Sequence, residues 1–381
     1  MKIEKIETHL VRDLFLVEII TDNGIRGLGQ SACWGFPEAV SAIVKKMIPL
    51  LIGQDPTNTE HISQLLYRSA PFKGSVLSGA LSAIDIALWD IKAKKFQIPV
   101  WELLGGKVRD KVRLHLLLGG WDNQLPKEEG IFGAAKKAVA QGFTALKIDP
   151  LPDNYFDLSL EKLVKQTREY VGALREGAGD EVDIILEIHR KLTPMVAIHL
   201  AENLKEFNPM FYEDPIQIDS IISQGEIAQK ISIPVANGER MHSIWEFREL
   251  LTHGGPQYVR PDVGLAGGLT HTKKIAAIAE SFHSAVVTHN FLGPILTAAS
   301  VHLDVTIPNF ITQEYTLADE SEEHDFVNST LKREGGYILL PDEIGLGVEI
   351  DQEKISKTPY SPRELHDAVP FRNDGSVAFS V

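Results

Sequence analysis

The sequence predicts an α/β fold built on a (β/α)₈-type barrel, and three observations predict it. First, Glu187, Glu213, Glu239, Asp262, His289 and Glu314 close successive short apolar runs, with gaps of 26, 26, 23, 27 and 25 residues. One strand, one helix and two short connections take roughly 25 residues, and a whole barrel about 250. Second, from residue 113 onward eight apolar runs alternate with helical stretches, which implies parallel strands joined by crossovers. They are RLHLLLGG, FTALKIDP, DIILEIH, MFYEDP, IPVANGE, YVRPDV, AVVTHN and FITQEY. Third, the polar residues arrive once per unit at strand ends, where the active site of such a barrel lies.

The remaining elements follow in chain order. In residues 1–30, IEKIETHLV alternates, LFLVEIIT is rich in β-formers and DNG marks a hairpin turn. Residues 36–70 carry helical spacing, so the first hundred residues read as α+β. SGALSAIDIALWDIKAKKF (78–96) predicts a helix, with Lys92, Lys94 and Lys95 suited to its C-terminal end, before Pro99 and Gly105-Gly106 break the pattern. The unit between the second and third barrel strands is long, and residues 151–182 include an extra loop. The tail, 331–381, is rich in Gly, Pro and charge and reads as irregular.

Composition narrows the function. The chain has 381 residues, is 44% hydrophobic and 24% charged, and carries a net charge of −14. That acidity argues against a nucleic-acid surface, which needs clustered Lys and Arg. A single cysteine, Cys33, excludes an intrachain disulfide. No segment resembles a signal peptide or a membrane span, so a cytoplasmic protein with no membrane partner is expected.

The acids carry the chemistry. Neighbouring strands lie about 4.8 Å apart, so Glu187, Glu213 and Glu239 at three consecutive strand ends would converge. Three like charges need compensation, and a hard divalent cation supplies it. Asp262 ends the strand before His289 and would fix its tautomer, which suits a general base; the other reading is a cap for the helix after GLAGG. His189, two residues past Glu187, would share the pocket if the strand continues, and otherwise is a loop residue. It would then face His289 across the barrel. Lys147 and Asp149 form a same-side pair, for stabilising negative charge or for a structural ion pair. Glu314 would donate to an oxyanion or pair with a base. Trp34, in a Gly-flanked loop, would close over a substrate or pack locally, and Asn290 beside His289 is a further candidate contact.

These residues sit in segments that resemble the enolase superfamily. They are SAIDIALWDIKAKKFQIPVWELLGG, YEDP, NGER, RPD–GLAGGLT, THNFLGPI and IGLGVEID. The pattern is similar to the mandelate racemase subgroup, and within it to galactonate- and gluconate-type sugar-acid dehydratases. The resemblance spans nearly the whole chain. It implies a (β/α)₇β barrel over residues 111–330 and an α+β capping domain over 1–110, completed by the tail at 331–381. It implies one Mg²⁺ per subunit on Glu187, Glu213 and Glu239, a His289–Asp262 dyad, the eighth-strand carboxylate of Glu314, and His189 as the second acid/base. Two departures stand out. The first ligand is Glu187 where Asp is common, a feature shared with some gluconate-type relatives. The second strand reads Lys147-Ile-Asp149 where racemases and cycloisomerases place a second lysine. The implied activity is dehydration of a hexonate or pentonate to a 2-keto-3-deoxy acid. Epimerisation at the α-carbon and a non-catalytic sugar-acid-binding role are the rivals. Relatives of this kind are commonly homo-oligomers, often octamers.

Overall fold

A computed structural model of the chain describes residues 1–119, 126–364 and 369–379. Gly120, the last residue of the first barrel run, and residues 365–368 and 380–381 of the tail lie outside the described residues. The chain opens with an antiparallel meander of β1 (Ile3–Val11), β2 (Leu14–Thr21) and β3 (Arg26–Ser31). The DNG turn joins β2 to β3, with Gly24 at φ 83° supplying the left-handed residue. Helices α1 (Pro37–Leu51), α2 (Thr59–Ser69) and α3 (Ser75–Phe96) follow.

Helix α3 starts three residues before its sequence-based prediction, and its middle, from Gly79 to Ile91, is buried on nearly every side, which is why its sequence is Ala-rich rather than amphipathic. It lies so close to β3 that a Cβ on Gly29 would stand 1.9 Å from the Ala83 carbonyl oxygen. Two buried aspartates on α3 tie the cap to the rest of the molecule. Asp85 accepts from the Thr270 amide at 2.9 Å and its hydroxyl at 2.5 Å. Asp90 accepts from the amides of Leu28 at 3.0 Å and Leu346 at 2.9 Å. Cap, barrel helix and tail are thereby joined through one helix.

The eight barrel runs become β4 (Lys111–Leu117), β5 (Ala145–Ile148), β6 (Asp183–Glu187), β7 (Phe211–Glu213), β8 (Val235–Asn237), β9 (Tyr258–Val259), β10 (Ala285–Thr288) and β11 (Phe310–Tyr315). They pair in parallel in chain order, and β11 closes on β4. Ile185, Phe211, Ala236 and Val287 fill the lower barrel with apolar bulk. The polar residues lie above them.

The tail is more regular than its composition implies. Strand β12 (Val327–Ser329) lies just before it; the tail itself holds β13 (Arg333–Glu334), β14 (Tyr337–Leu339), β15 (Val348–Ile350), which pairs with β12, and a short helix at Gln352–Lys357. Strand β14 pairs with the start of β4, so an edge at the foot of the barrel is covered. Beyond it, the Ser361 amide donates to the Arg12 carbonyl at 2.6 Å, and the Asn373 amide donates to the Asp157 carboxylate at 3.2 Å. The described tail thus touches both the cap and the barrel loop after β5. Among the described residues no helix is long and apolar enough to cross a membrane.

Candidate active site

Glu187 and Glu213 are direct register partners at the ends of β6 and β7. Glu239 lies two residues beyond the end of β8, on the turn made by Gly238 at φ 128°. The extra rise compensates for the shorter strand, and carboxylate oxygens of the three lie within 4.8 Å of one another. All three are buried.

Two cations from below hold this layer. Lys147 Nζ is 2.8 Å from Glu187, 3.0 Å from Glu213 and 2.9 Å from Glu314. Arg260 bridges Glu213 and Glu314. Burial drives the Glu314 carboxyl up, but Lys147 and Arg260 outweigh it and hold it at about 2. Glu187 behaves likewise: burial opposes ionisation, and Lys147 keeps the carboxyl well below its usual range. Glu213 moves the other way. Burial and the charge on Glu187 push it well up despite Arg260 and Lys147. From the outer side, Arg190 reaches Asp214 at 2.6 Å and Glu239 at 2.7 Å. That guanidinium holds Glu239 well below the ordinary carboxylate range against the effect of burial.

Glu187 Oε2 lies 2.8 Å from Lys147 Nζ, and the two Glu213 oxygens are met by Lys147 at 3.0 Å and by Arg260. Lys147 and Arg260 are thus shared among Glu187, Glu213 and Glu314, and buried like charges so close together need further compensation. An oxygen-only donor set of this kind fits a hard divalent cation, and Glu187, Glu213 and Glu239 could hold one.

The two histidines flank the trio from opposite walls, because β6 and β10 are four strands apart in an eight-stranded ring. His289, one residue past β10, places Nδ1 2.7 Å from Asp262 Oδ2 and Nε2 3.4 Å from Glu239. Burial lowers its proton affinity, but Glu239, Glu314 and the Asp262 hydrogen bond raise it overall. Asp262 serves twice: its other oxygen accepts from the Gly264 amide at 2.7 Å and so shapes the GLAGG turn.

His189 is reached differently from the same-strand geometry expected of it. Strand β6 stops at Glu187, and His189 and Arg190 adopt φ of 52° and 64°. The His189 amide donates to Glu187 at 2.8 Å, and its ring Nδ1 lies 2.8 Å from Asp149 Oδ2. Asp149 also accepts from Lys191 at 2.5 Å. Burial raises the Asp149 carboxyl, while the His189 hydrogen bond and Lys191 bring it below its usual value.

Trp34 reaches the mouth from the cap. With Cys33, Ser75, Arg240, Glu239 and His289 it lines a cavity of about 230 Å³. Its ring is flanked by the Arg240 and Arg363 guanidiniums at 5.2 and 5.0 Å. Asn290 is buried, and its amide donates to Thr297 Oγ1 at 2.5 Å. Sequence reasoning passed over Arg260, Arg190 and Asp214. Arg260 had a signal: it stands two residues before Asp262 in an extended segment and so faces the same side. Arg190 and Asp214 had none, since both depend on left-handed backbone at φ 64° and 37°.

A parallel barrel with a carboxylate trio between two carboxylate-held imidazoles defines an enzyme scaffold of the enolase type. Residues 132–354 match the model for the enolase C-terminal domain-like family, and residues 5–105 match that for the mandelate racemase / muconate lactonizing enzyme N-terminal domain. The chain belongs to this family. A D-galactonate dehydratase from Cronobacter sakazakii is 34% identical over 99% of this chain and 100% of that protein. One from Ralstonia pickettii is 33% identical over the same shares. Among solved structures, an enolase from Agrobacterium radiobacter bound to sodium and L-malate covers 100% of both chains at 30% identity, with a TM-score of 0.92.

Proposed function

We propose that the chain is a Mg²⁺-dependent hydro-lyase that dehydrates a sugar acid of the galactonate or gluconate kind to a 2-keto-3-deoxy acid. The observation that carries this reading is the pair of opposed histidines, His289 and His189. Each has Nδ1 against a carboxylate, at 2.7 and 2.8 Å, and they flank one carboxylate trio. A carboxylate accepts only, so Nδ1 keeps its hydrogen and Nε2 is left to exchange protons. The full-length relatives named D-galactonate dehydratase support the same reaction class.

Glu187, Glu213 and Glu239 would hold the Mg²⁺, which when bound supplies Lewis-acid polarisation of the substrate carboxylate. His289 removes the α-proton, and the electron pair moves into the carboxylate to give an enediolate. Asp262 keeps the imidazole in the accepting tautomer and stabilises the imidazolium that forms. His189 gives its proton to the β-hydroxyl, which leaves as water while the enediolate electrons form the C2–C3 double bond. The resulting enol takes up a proton at C3 as it becomes the ketone. Lys147 holds Glu187 ionised and, with Arg260, does the same for Glu314, so this floor of the site does not reorganise as charge develops.

The test is a screen of purified protein with Mg²⁺ against hexonates and pentonates, with 2-keto acid read by semicarbazide absorbance. Formation of a keto acid supports the reading. Exchange of the α-proton in D₂O without keto acid would favour epimerisation, and a ligand that binds with neither reaction would favour a binding protein.

A further inference from the structure

A hydrogen-bonded relay outside the carboxylate layer ends in the same cavity. Glu246 accepts three hydrogen bonds: from the His242 amide at 2.9 Å, the Ser243 hydroxyl at 2.9 Å and His242 Nδ1 at 3.2 Å. Because a carboxylate cannot donate, Nδ1 of His242 carries a hydrogen, and in the neutral imidazole Nε2 is then the acceptor. Ser75 Oγ lies 2.8 Å from that Nε2. The serine hydrogen is therefore committed to His242, and the oxygen has only lone pairs left to offer. That oxygen belongs to a residue lining the 230 Å³ cavity together with His289 and Glu239. Ser75 is the first residue of α3, and Ser78 on the same helix donates to the His242 carbonyl at 3.1 Å, which fixes the relay between cap and barrel.

The cavity has two unlike sides. The barrel contributes the carboxylates and the imidazole, which suit the reacting end of an acid. The cap contributes Trp34 and Ser75, which are left for the far end. We propose that Ser75 is a specificity-determining residue: its oxygen, polarised by the His242–Glu246 relay, accepts a hydrogen bond from a hydroxyl at the distal end of the sugar acid, C5 or C6. The inference rests on the sugar-acid reading above. A site built to bond a hydroxyl discriminates against the analogue that lacks it, because its acceptor is then left unpaired.

The experiment is calorimetric titration of D-galactonate and its 5-deoxy and 6-deoxy counterparts into the Mg²⁺-loaded full chain, for the wild type, S75A and S75T. S75A should weaken D-galactonate binding by about 10-fold. It should leave one of the two deoxy acids binding as it does to the wild type, and S75T should restore the parent affinity. Equal losses on all three acids would show a merely structural serine and overturn the proposal, as would no loss on any. Turnover is measured in parallel. The expected binding pattern without keto acid would keep the Ser75 assignment and overturn dehydration, whereas failure of all three acids to bind would overturn both.

Discussion

Among the described residues, two trios of ligand-capable side chains each gather within 4.8 Å: Glu187, Glu213 and Glu239 in the barrel mouth, and Glu7, His9 and Glu18 on the cap sheet. Their surroundings differ. On the cap, Glu18 accepts from Gln352 at 2.9 Å and lies 3.3 Å from His9 and 3.6 Å from Arg26. Burial there is outweighed by those hydrogen bonds, and the Glu18 carboxyl sits below its usual value. Glu7 is half-exposed beside Lys5, where water screens the charge. Among the described residues, six buried carboxylates (Glu187, Glu213, Asp214, Glu239, Asp262 and Glu314) crowd the barrel mouth beside three buried Lys and Arg cations, Lys147, Arg190 and Arg260, and the His289 imidazole. Proximity of ligands is common to both trios. Of these two trios, the excess of buried acid over buried cation, which calls for a further cation, belongs to the barrel one.

The largest expected effect comes from removing His289, the base proposed beside the barrel trio. H289N should lower turnover by about 10⁴-fold while Mg²⁺ affinity, measured by calorimetry, stays within twofold of the wild type. Normal turnover in H289N would remove the base assignment. H189N should suppress keto-acid formation by about 10²–10⁴-fold yet retain exchange of the α-proton in D₂O, because only the departure of the hydroxyl loses its acid. Loss of exchange in parallel with turnover would merge the two roles.

The comparison itself can be broken by ligand removal. E213Q should weaken Mg²⁺ binding by more than about 100-fold, whereas E18Q should leave it unchanged. A comparable loss in E18Q would place the cation on the cap.

A smaller effect concerns the frame that joins cap, tail and barrel. Buried His302 accepts from the Trp101 amide at 3.2 Å and lies 3.3 Å from the Leu346 carbonyl. Burial holds its pKa down at about 4, against an ordinary 6.5. The folded form therefore stays neutral while the unfolded chain takes up a proton. Its contribution is complete above about pH 6.5 and is lost as pH falls toward 4, by about 3 kcal/mol at most. Urea unfolding of wild type and H302Q between pH 7 and 4 should show a shallower pH dependence in the variant. Identical slopes would contradict the assignment.

Much of the fold was legible because a (β/α) unit has a nearly fixed length, so its strand ends recur at a readable period. The same period marked Glu187, Glu213, Glu239, Asp262, His289 and Glu314. What escaped was set by backbone detail or by long-range contact. The left-handed residues at 189 and 190 end β6 and redirect His189 toward Asp149. The Ser75–His242 contact joins residues 167 positions apart, and no local pattern announces it. The tail strands were hidden by their Gly- and charge-rich composition, because β14 is fixed by pairing with β4 rather than by its own propensity.

The most direct test of the central claim is semicarbazide detection of 2-keto acid from D-galactonate and related hexonates and pentonates, with Mg²⁺, by wild type and H289N side by side. Keto acid from the wild type and none from H289N is the predicted result. Keto acid from neither protein across the panel, or from both at equal rates, would contradict it.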